Sequence, residues 1–428
     1  MTWTDRLRKL RLDVTPLRTS RDFRLLVVAG TVFWFGGMVS YVAIPYQLYR
    51  LTHSSFAVGA IGLAELVPLL VFGLYGGALA DHVDRRRLLV WTGVAQLALT
   101  AVLAANALGD PQIWVIFAVA VLLASAQSLQ RPSREALLPR TVAHAELPAA
   151  NALSSLGMDL GLLAGPAVGG LLVAYVGIAW CFVVDCTGLA TATLLYALMR
   201  SYPHREDTTP PSLAGIAEGL RYAFRRRDLL GTYLVDIAAM LLAIPVVLFP
   251  ALVEDVFHRP ELLGLLYSAE TVGSLVATAL SGWTGHVHHH GRAIVLAAAA
   301  YGLCIAVAGV MPSIWLVGAA MAGAGAADMI SGIFRSTVWN QTIPEGMRGR
   351  LAGIEMLSYS LGPLGGQVRA GVTADLWSVR GAITSGGLAC VVGVAATAAW
   401  LRGFWAYDAR TDEYAVAERA TRAAAGER

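Results

Sequence analysis

At 428 residues, with 56% hydrophobic and 14% charged side chains, the chain is too apolar for an ordinary soluble domain. A mean hydropathy of +0.60 and recurring apolar runs of about 20 residues, enough to cross roughly 30 Å of hydrocarbon, indicate a polytopic α-helical membrane protein. The alternating pattern of a transmembrane barrel is absent, and the net charge of +3 comes from basic residues scattered between apolar runs, which excludes a nucleic-acid-binding patch.

The basic N-terminal arm, residues 1–23, lacks the short apolar core and small-residue cleavage site of a secretory signal, so the first span reads as an uncleaved signal-anchor. Twelve spans are predicted, at 24–49, 56–80, 88–108, 112–137, 148–176 and 178–199, then 229–253, 262–285, 292–311, 313–338, 350–373 and 381–402. Between spans 2 and 3 the run Tyr75 to Leu89 contains a tight turn with Arg85, Arg86 and Arg87. Short loops rich in arginine stay in the cytoplasm, which places this turn and both termini inside a plasma (inner) membrane. On that orientation all basic residues except Arg50, Arg259, Arg369 and Arg380 lie at the inner face. Residues 200–228 read as a cytoplasmic linker whose second part, Ser212 to Arg227, is an amphipathic surface helix. Residues 403–428 read as a cytoplasmic tail. Cys181, Cys186, Cys304 and Cys390 all fall inside apolar spans with no metal or disulfide spacing, and read as small apolar side chains.

The two halves repeat each other. Ala43-Ile44-Pro45 in span 1 recurs as Ala243-Ile244-Pro245 in span 7, and Gly59 with Ala64-Glu65 recurs as Gly264 with Ala269-Glu270. His82-Val83 recurs as His286-Val287, and Gly165-Pro166 with Gly169-Gly170 recurs as Gly362-Pro363 with Gly365-Gly366. Four matches in one order imply a bundle at 24–199 and a parallel second bundle at 229–402, a transporter architecture with substrate near mid-membrane.

Two motifs carry a family resemblance. Gly77-x-x-x-Asp81-x-x-x-Arg85-Arg86 resembles the loop signature between spans 2 and 3 of the Major Facilitator Superfamily, with His82 and Asp84 departing from it. The resemblance implies that Asp81 meets the N-terminus of span 11 near Gly349 to Ala352, where the helix dipole favours an anion, while the arginines face lipid headgroups. Gly161-x-x-x-Gly165-Pro166-x-x-Gly169-Gly170 in span 5 is similar to the superfamily's antiporter motif, although such glycines serve tight helix packing in any case. Phe249-Pro250-Ala251-Leu252, Gly264-Leu265-Leu266-Tyr267 and Gln341-Thr342-Ile343-Pro344-Glu345 narrow the resemblance to the enterobactin (siderophore) exporter and proton-coupled drug efflux branch. That implies an all-α fold of twelve transmembrane helices in two pseudo-symmetric six-helix bundles.

Carboxylates inside spans cost ~2.5 to 3.5 kcal/mol each at a helix centre and are seldom there without a role. Glu65, Glu270, Asp159 and Asp236 are the proton-coupling candidates, and Glu65 with Glu270 is expected on opposite walls of one cavity. Asp185, Asp328 and Glu355 are assigned to structural pairing. Arg131 and Arg134 at the inner end of span 4, with Arg335 in span 10, are expected to pair with Asp81 and Glu355 across a cytoplasmic gate. Trp34, Tyr41, Tyr46 and Gln47 in span 1 either line a substrate cavity or belong to a lipid-facing aromatic belt. His286, His288, His289 and His290 sit on one short loop, too little for a metal shell.

The single lysine, Lys9, lies in no phosphate-binding loop, so no cofactor is assigned and the energy source is an ion gradient. The leading expectation is a non-enzymatic proton antiporter, monomeric in the lipid bilayer, that exports a small organic molecule such as a siderophore, drug or other secondary metabolite, a multidrug-resistance type of activity. A facilitator or importer on the same fold is the second reading, separable by the direction of net flux in vesicles. A non-transporting membrane assembly subunit is the third.

Overall fold

The computed structural model describes residues 13–202 and 221–424, all long elements of which are α-helices. Twelve carry the fold: α1 (Arg21–Thr52), α2 (Ser55–His82), α3 (Arg85–Leu108), α4 (Ile113–Thr141), α5 (Leu147–Tyr175) and α6 (Ile178–Ala197), then α7 (Arg227–Ala243), α8 (Leu263–Ala279), α9 (His290–Val310), α10 (Ile314–Thr342), α11 (Glu345–Leu376) and α12 (Val379–Trp400). Eleven of the described helices, α11 excepted, are long and apolar enough to cross a membrane. α11 is the twelfth by length, 32 residues, and its polarity comes from residues such as Glu355, Arg369 and Asp375. The predicted spans fall on these helices because each apolar run is bounded by a polar turn. Side chains of residues 73–82, and several between 345 and 357, lie outside the described set, as do residues 203–220 of the predicted linker helix.

The chain divides into two compact units, residues 1–44 with 71–210, and residues 45–70 with 211–428. The boundary therefore runs through α1 and α2, and the turn joining them belongs with the second unit.

In the first unit, α5 lies against α1 at backbone distance. A Cβ at Gly161 would stand 2.7 Å from the Trp34 Cβ and 2.8 Å from the Phe35 nitrogen, and one at Gly165 would stand 2.5 Å from the Met38 Cβ. In the second unit α11 does the same to α7, where a Cβ at Gly362 would stand 2.9 Å from the Met240 Cβ and one at Gly366 2.3 Å from the Met240 oxygen. The repeated glycine-proline motif thus has one packing job in both units, close approach of the fifth helix of a half to its first.

The repeat also holds at the turns. His53 between α1 and α2 and His258 between α7 and α8 are the two non-glycine residues with positive φ among those described, at 48° and 53°. Span 7 runs to Val256 as predicted in extent, but it is not one regular helix, because α7 stops at Ala243. A 3₁₀ turn at Val246–Leu248 and a widened π turn at Leu252–Val256 follow. Beyond α12, the helix α13 (Glu413–Ala424) folds back onto the second unit: Arg422 Nη2 donates to the Asn340 carbonyl at 2.8 Å, and Arg226 stacks over Tyr414 at 3.6 Å.

Candidate functional site

Three groupings of polar side chains stand out within the apolar helices. In the first unit, Asp185 on α6 is 5% exposed and accepts a 2.6 Å hydrogen bond from the Ser40 hydroxyl of α1. The two helices touch there, since a Cβ at Gly36 would lie 2.8 Å from Asp185 Oδ1. This agrees with the structural pairing expected of Asp185, with a serine in place of an arginine. Asp159 is half-buried on α5, with no hydrogen bond or ion pair among the described residues.

The second grouping lies inside the second unit, on α7, α8, α10 and α11. Asp236 is 3% exposed, its Oδ1 bonded to Arg335 Nη1 and its Oδ2 accepting from the Ser358 hydroxyl at 3.0 Å. Arg335 Nη2 lies 3.6 Å from Asp328 Oδ1, one guanidinium between two carboxylates. Their environments differ, as the Asp328 side chain is 40% exposed and that of Asp236 only 3%. Asp328 and Arg335 share a face of α10 because they are seven residues, about two helical turns, apart.

Glu270 joins this group through the α8–α10 crossing. A Cβ at Gly325 would stand 2.0 Å from the Glu270 oxygen and one at Gly273 1.7 Å from the Ala322 oxygen, so the two backbones touch. That contact holds Glu270 within electrostatic reach of Asp328 and of Tyr301 on α9. Glu270 Oε1 is buried and accepts no hydrogen bond among the described residues. Glu65 has different surroundings: half-buried on α2, it has no ion pair among the described residues. Arg335 was expected to face Asp81 and Glu355 at a gate; its guanidinium binds Asp236, reaches Asp328 and stands within electrostatic reach of Glu355, while the side chain of Asp81 lies outside the described set.

The third grouping surrounds the α1–α2 turn. Asp375, in the last turn of α11, accepts hydrogen bonds from the Ser55 N–H at 2.8 Å, the Phe56 N–H at 3.1 Å and the Ser54 hydroxyl at 2.5 Å. Nearby, the hydroxyls of Tyr46 and Tyr49 donate to Glu254 and Asp255, both on the π turn that follows α7. Arg50 lies 3.7 Å from Glu254. The aromatic residues proposed for a cavity therefore divide. Tyr46 is 2% exposed with its hydroxyl spent on Glu254, and Gln47 is 3% exposed, so neither lines an open cavity. Tyr41 is exposed, and Trp34 lies under the Arg134 guanidinium at 5.2 Å.

The arginine cluster after α2 also differs from expectation. Arg85 Nη1 donates to the Ala136 carbonyl at 3.1 Å and Arg86 to that of Ala197, binding the start of α3 to α4 and α6 where lipid headgroups were expected. Arg131 pairs with Glu135 at 2.9 Å on the same helix. Gly77 and Asp81 lie on α2, but their side chains are outside the described set, as is the predicted contact of Asp81 with 349–352. Gly161, Gly165, Pro166, Gly169 and Gly170 are all buried in α5.

Sequence reasoning missed the Asp375 grouping, whereas Asp328 lies beside an arginine as its expected structural pairing implies. A signal existed for Asp375: an aspartate in the last turn of a long helix opposes that helix's own dipole, so it needs a compensating positive end elsewhere.

Comparisons with known proteins match this architecture. A family described as "Transmembrane secretion effector" covers residues 13–414. Enterobactin exporter EntS of Shigella flexneri is 28% identical over 395 residues, covering 90% of this chain and 92% of the relative. EntS of Shigella boydii serotype 18 is 26% identical over 390 residues with the same coverage. Among solved structures, a POT family transporter in complex with 5-aminolevulinic acid aligns with a TM-score of 0.71 at 12% identity, over 90% of this chain and 97% of that one. The nucleoside transporter NupG aligns with a TM-score of 0.67 at 12% identity, over the same shares of the two chains. At that identity both show the fold alone.

Proposed function

Since the chain belongs to the transmembrane secretion effector family of the Major Facilitator Superfamily, and so is a membrane transporter of small molecules and no enzyme, we propose that it exports a siderophore-sized organic molecule by alternating access in exchange for protons. The relatives named as enterobactin exporters support export as the direction and catecholate siderophores as the first substrates to test. The arginine-rich turn before α3 supports an orientation with that end of the molecule in the cytoplasm.

The observation that carries the coupling claim is the ion group of buried Asp236 and Arg335 with the more accessible Asp328, all on membrane-crossing helices. Charged side chains among apolar helices are expensive to insert and are kept where they move an ion or a substrate. A proton entering under a 100 mV potential brings ~2.3 kcal/mol, enough to bias an exchange cycle about fiftyfold.

Flux of enterobactin from proteoliposomes containing the purified protein tests this reading. Export is expected to accelerate when an inward proton gradient is imposed and to slow when an ionophore collapses it. Flux of equal rate in both conditions would make the protein a facilitator.

A further inference from the structure

Each element around Asp328 contributes a charged or titratable group. α10 supplies Arg335 at 3.6 Å, and α7 supplies Asp236 on the other side of that guanidinium. α8 supplies Glu270, α9 supplies Tyr301, and α11 supplies Tyr359, Glu355 and Arg369. Near Arg335 the carboxylates of Asp236, Asp328 and Glu355 outnumber the one guanidinium, and Glu270, whose Oε1 is buried and takes no hydrogen bond among the described residues, stands within reach of Asp328. An unneutralised charge in low-dielectric surroundings is costly, and a bound proton lowers the anionic excess around Arg335.

The two carboxylates are not equivalent recipients. Asp236 is enclosed and held twice, by Arg335 and by the Ser358 hydroxyl, so a proton arriving there would displace both partners. Asp328 is 40% exposed, sits at the looser 3.6 Å distance, and shares its surroundings with a second anion, Glu270. We infer that Asp328 is the proton-binding group of the second unit, with Arg335, anchored on Asp236, as the positioning residue that holds Asp328 when ionised and releases it when protonated. This rests on the proton-exchange reading above. The step is a simple protonation: hydronium gives its proton to an Asp328 oxygen, the attraction to Nη2 is lost, and Arg335 remains on Asp236. Deprotonation to water on the opposite side reverses it.

Two measurements on the full-length protein test the inference. Infrared difference spectroscopy in nanodiscs, titrated across the neutral range, is expected to show a protonated-carboxyl band that Asp328→Asn removes and Asp328→Glu retains. Arg335→Gln is expected to move the titration of that band, whereas Arg335→Lys preserves its direction. In proteoliposomes, Asp328→Asn is expected to lose stimulation of enterobactin flux by a proton gradient while Asp328→Glu retains it, a contrast between two substitutions at one position that misfolding would not produce.

A carboxyl band unchanged in Asp328→Asn would overturn the assignment, as would gradient-stimulated flux in that variant equal to the native protein's, which leaves proton exchange standing with another carboxylate. If the native protein shows no gradient stimulation yet Asp328→Asn removes the band, the exchange reading falls and the binding site stands.

Discussion

The carboxylate of Asp375 caps a helix to which it does not belong: it accepts the backbone N–H of Ser55 at 2.8 Å, some 320 residues earlier in the chain. The first N–H groups of a helix have no partner within it, and an anion there meets both those donors and the positive end of the dipole. Asp375 sits at the end of α11, where its charge opposes that helix's own dipole, and the start of α2 compensates it. A Cβ at Gly371 would stand 2.4 Å from the Ser55 oxygen, so the absence of a side chain there lets the capping carboxylate reach.

Replacing Asp375 by Ala removes the cap and is expected to cost about 1 kcal/mol, the usual worth of a capping side chain. Thermal unfolding in detergent checks the size. Because the turn then comes free of α11, a cysteine placed at Ser54 is expected to react faster with a soluble maleimide in the Asp375→Ala background. Equal labelling rates would show that the cap holds nothing in place.

The tyrosine contacts beside it predict a measurable coupling. Tyr46→Phe and Glu254→Gln should each destabilise, and the double variant should cost less than the sum of the two by about 0.5 to 1.5 kcal/mol, the range for one hydrogen bond. Additive losses would mean that Glu254 works mainly through Arg50, 3.7 Å away.

Two glycines separate packing from propensity. Gly161→Ala puts a methyl 2.7 Å from the Trp34 Cβ and against α1 backbone, with an expected loss of about 1 to 3 kcal/mol. Gly30, also inside α1, has nothing within 4 Å of where its Cβ would be, so Gly30→Ala should be neutral or stabilising by up to about 1 kcal/mol. Melting temperatures of the two variants should shift in opposite directions, or only the first should fall.

Asp84, in the turn between α2 and α3, gives a pH dependence with a definite sign. Burial pushes its carboxyl up, but the Ser201 hydroxyl and the N–H groups of Arg87 and Arg86 outweigh burial and hold it below the usual carboxylate range. A carboxyl depressed in the folded state adds stability in full above its unfolded value of about 3.9, and loses it as pH falls through the folded value. The native protein should therefore melt higher than Asp84→Asn at neutral pH, with the gap closing in acid. A gap that widened in acid would contradict this.

The tail yields a larger effect. Arg226 and Asp228 are buried together, at 3% and 9% side-chain exposure, and Arg226 Nη1 also donates to the Thr342 carbonyl at 2.7 Å. Arg226→Ala leaves Asp228 buried without its cation, at an expected cost of about 3 to 5 kcal/mol. It also removes the guanidinium stacked on Tyr414, so trypsin should cut the α13 segment sooner than in the native protein.

The spans, the repeat and the glycine-proline groove were legible in the sequence because each depends on neighbours a few residues apart: an apolar run long enough for the bilayer, or small residues at one-turn spacing. Partnerships were not legible. Arg335 could have met any acid on a neighbouring helix, and only the packing of α7, α8 and α10 selects Asp236 and Asp328. The repeated tripeptide makes the same point about backbone. Ala43-Ile44-Pro45 continues as unbroken helix within α1, while Ala243-Ile244-Pro245 ends α7, with Ile244 extended at ψ 121°. Identical residues carry identical local preferences, so the difference has to come from what presses on them, and in the second unit α11 lies against Ile244 through Gly366.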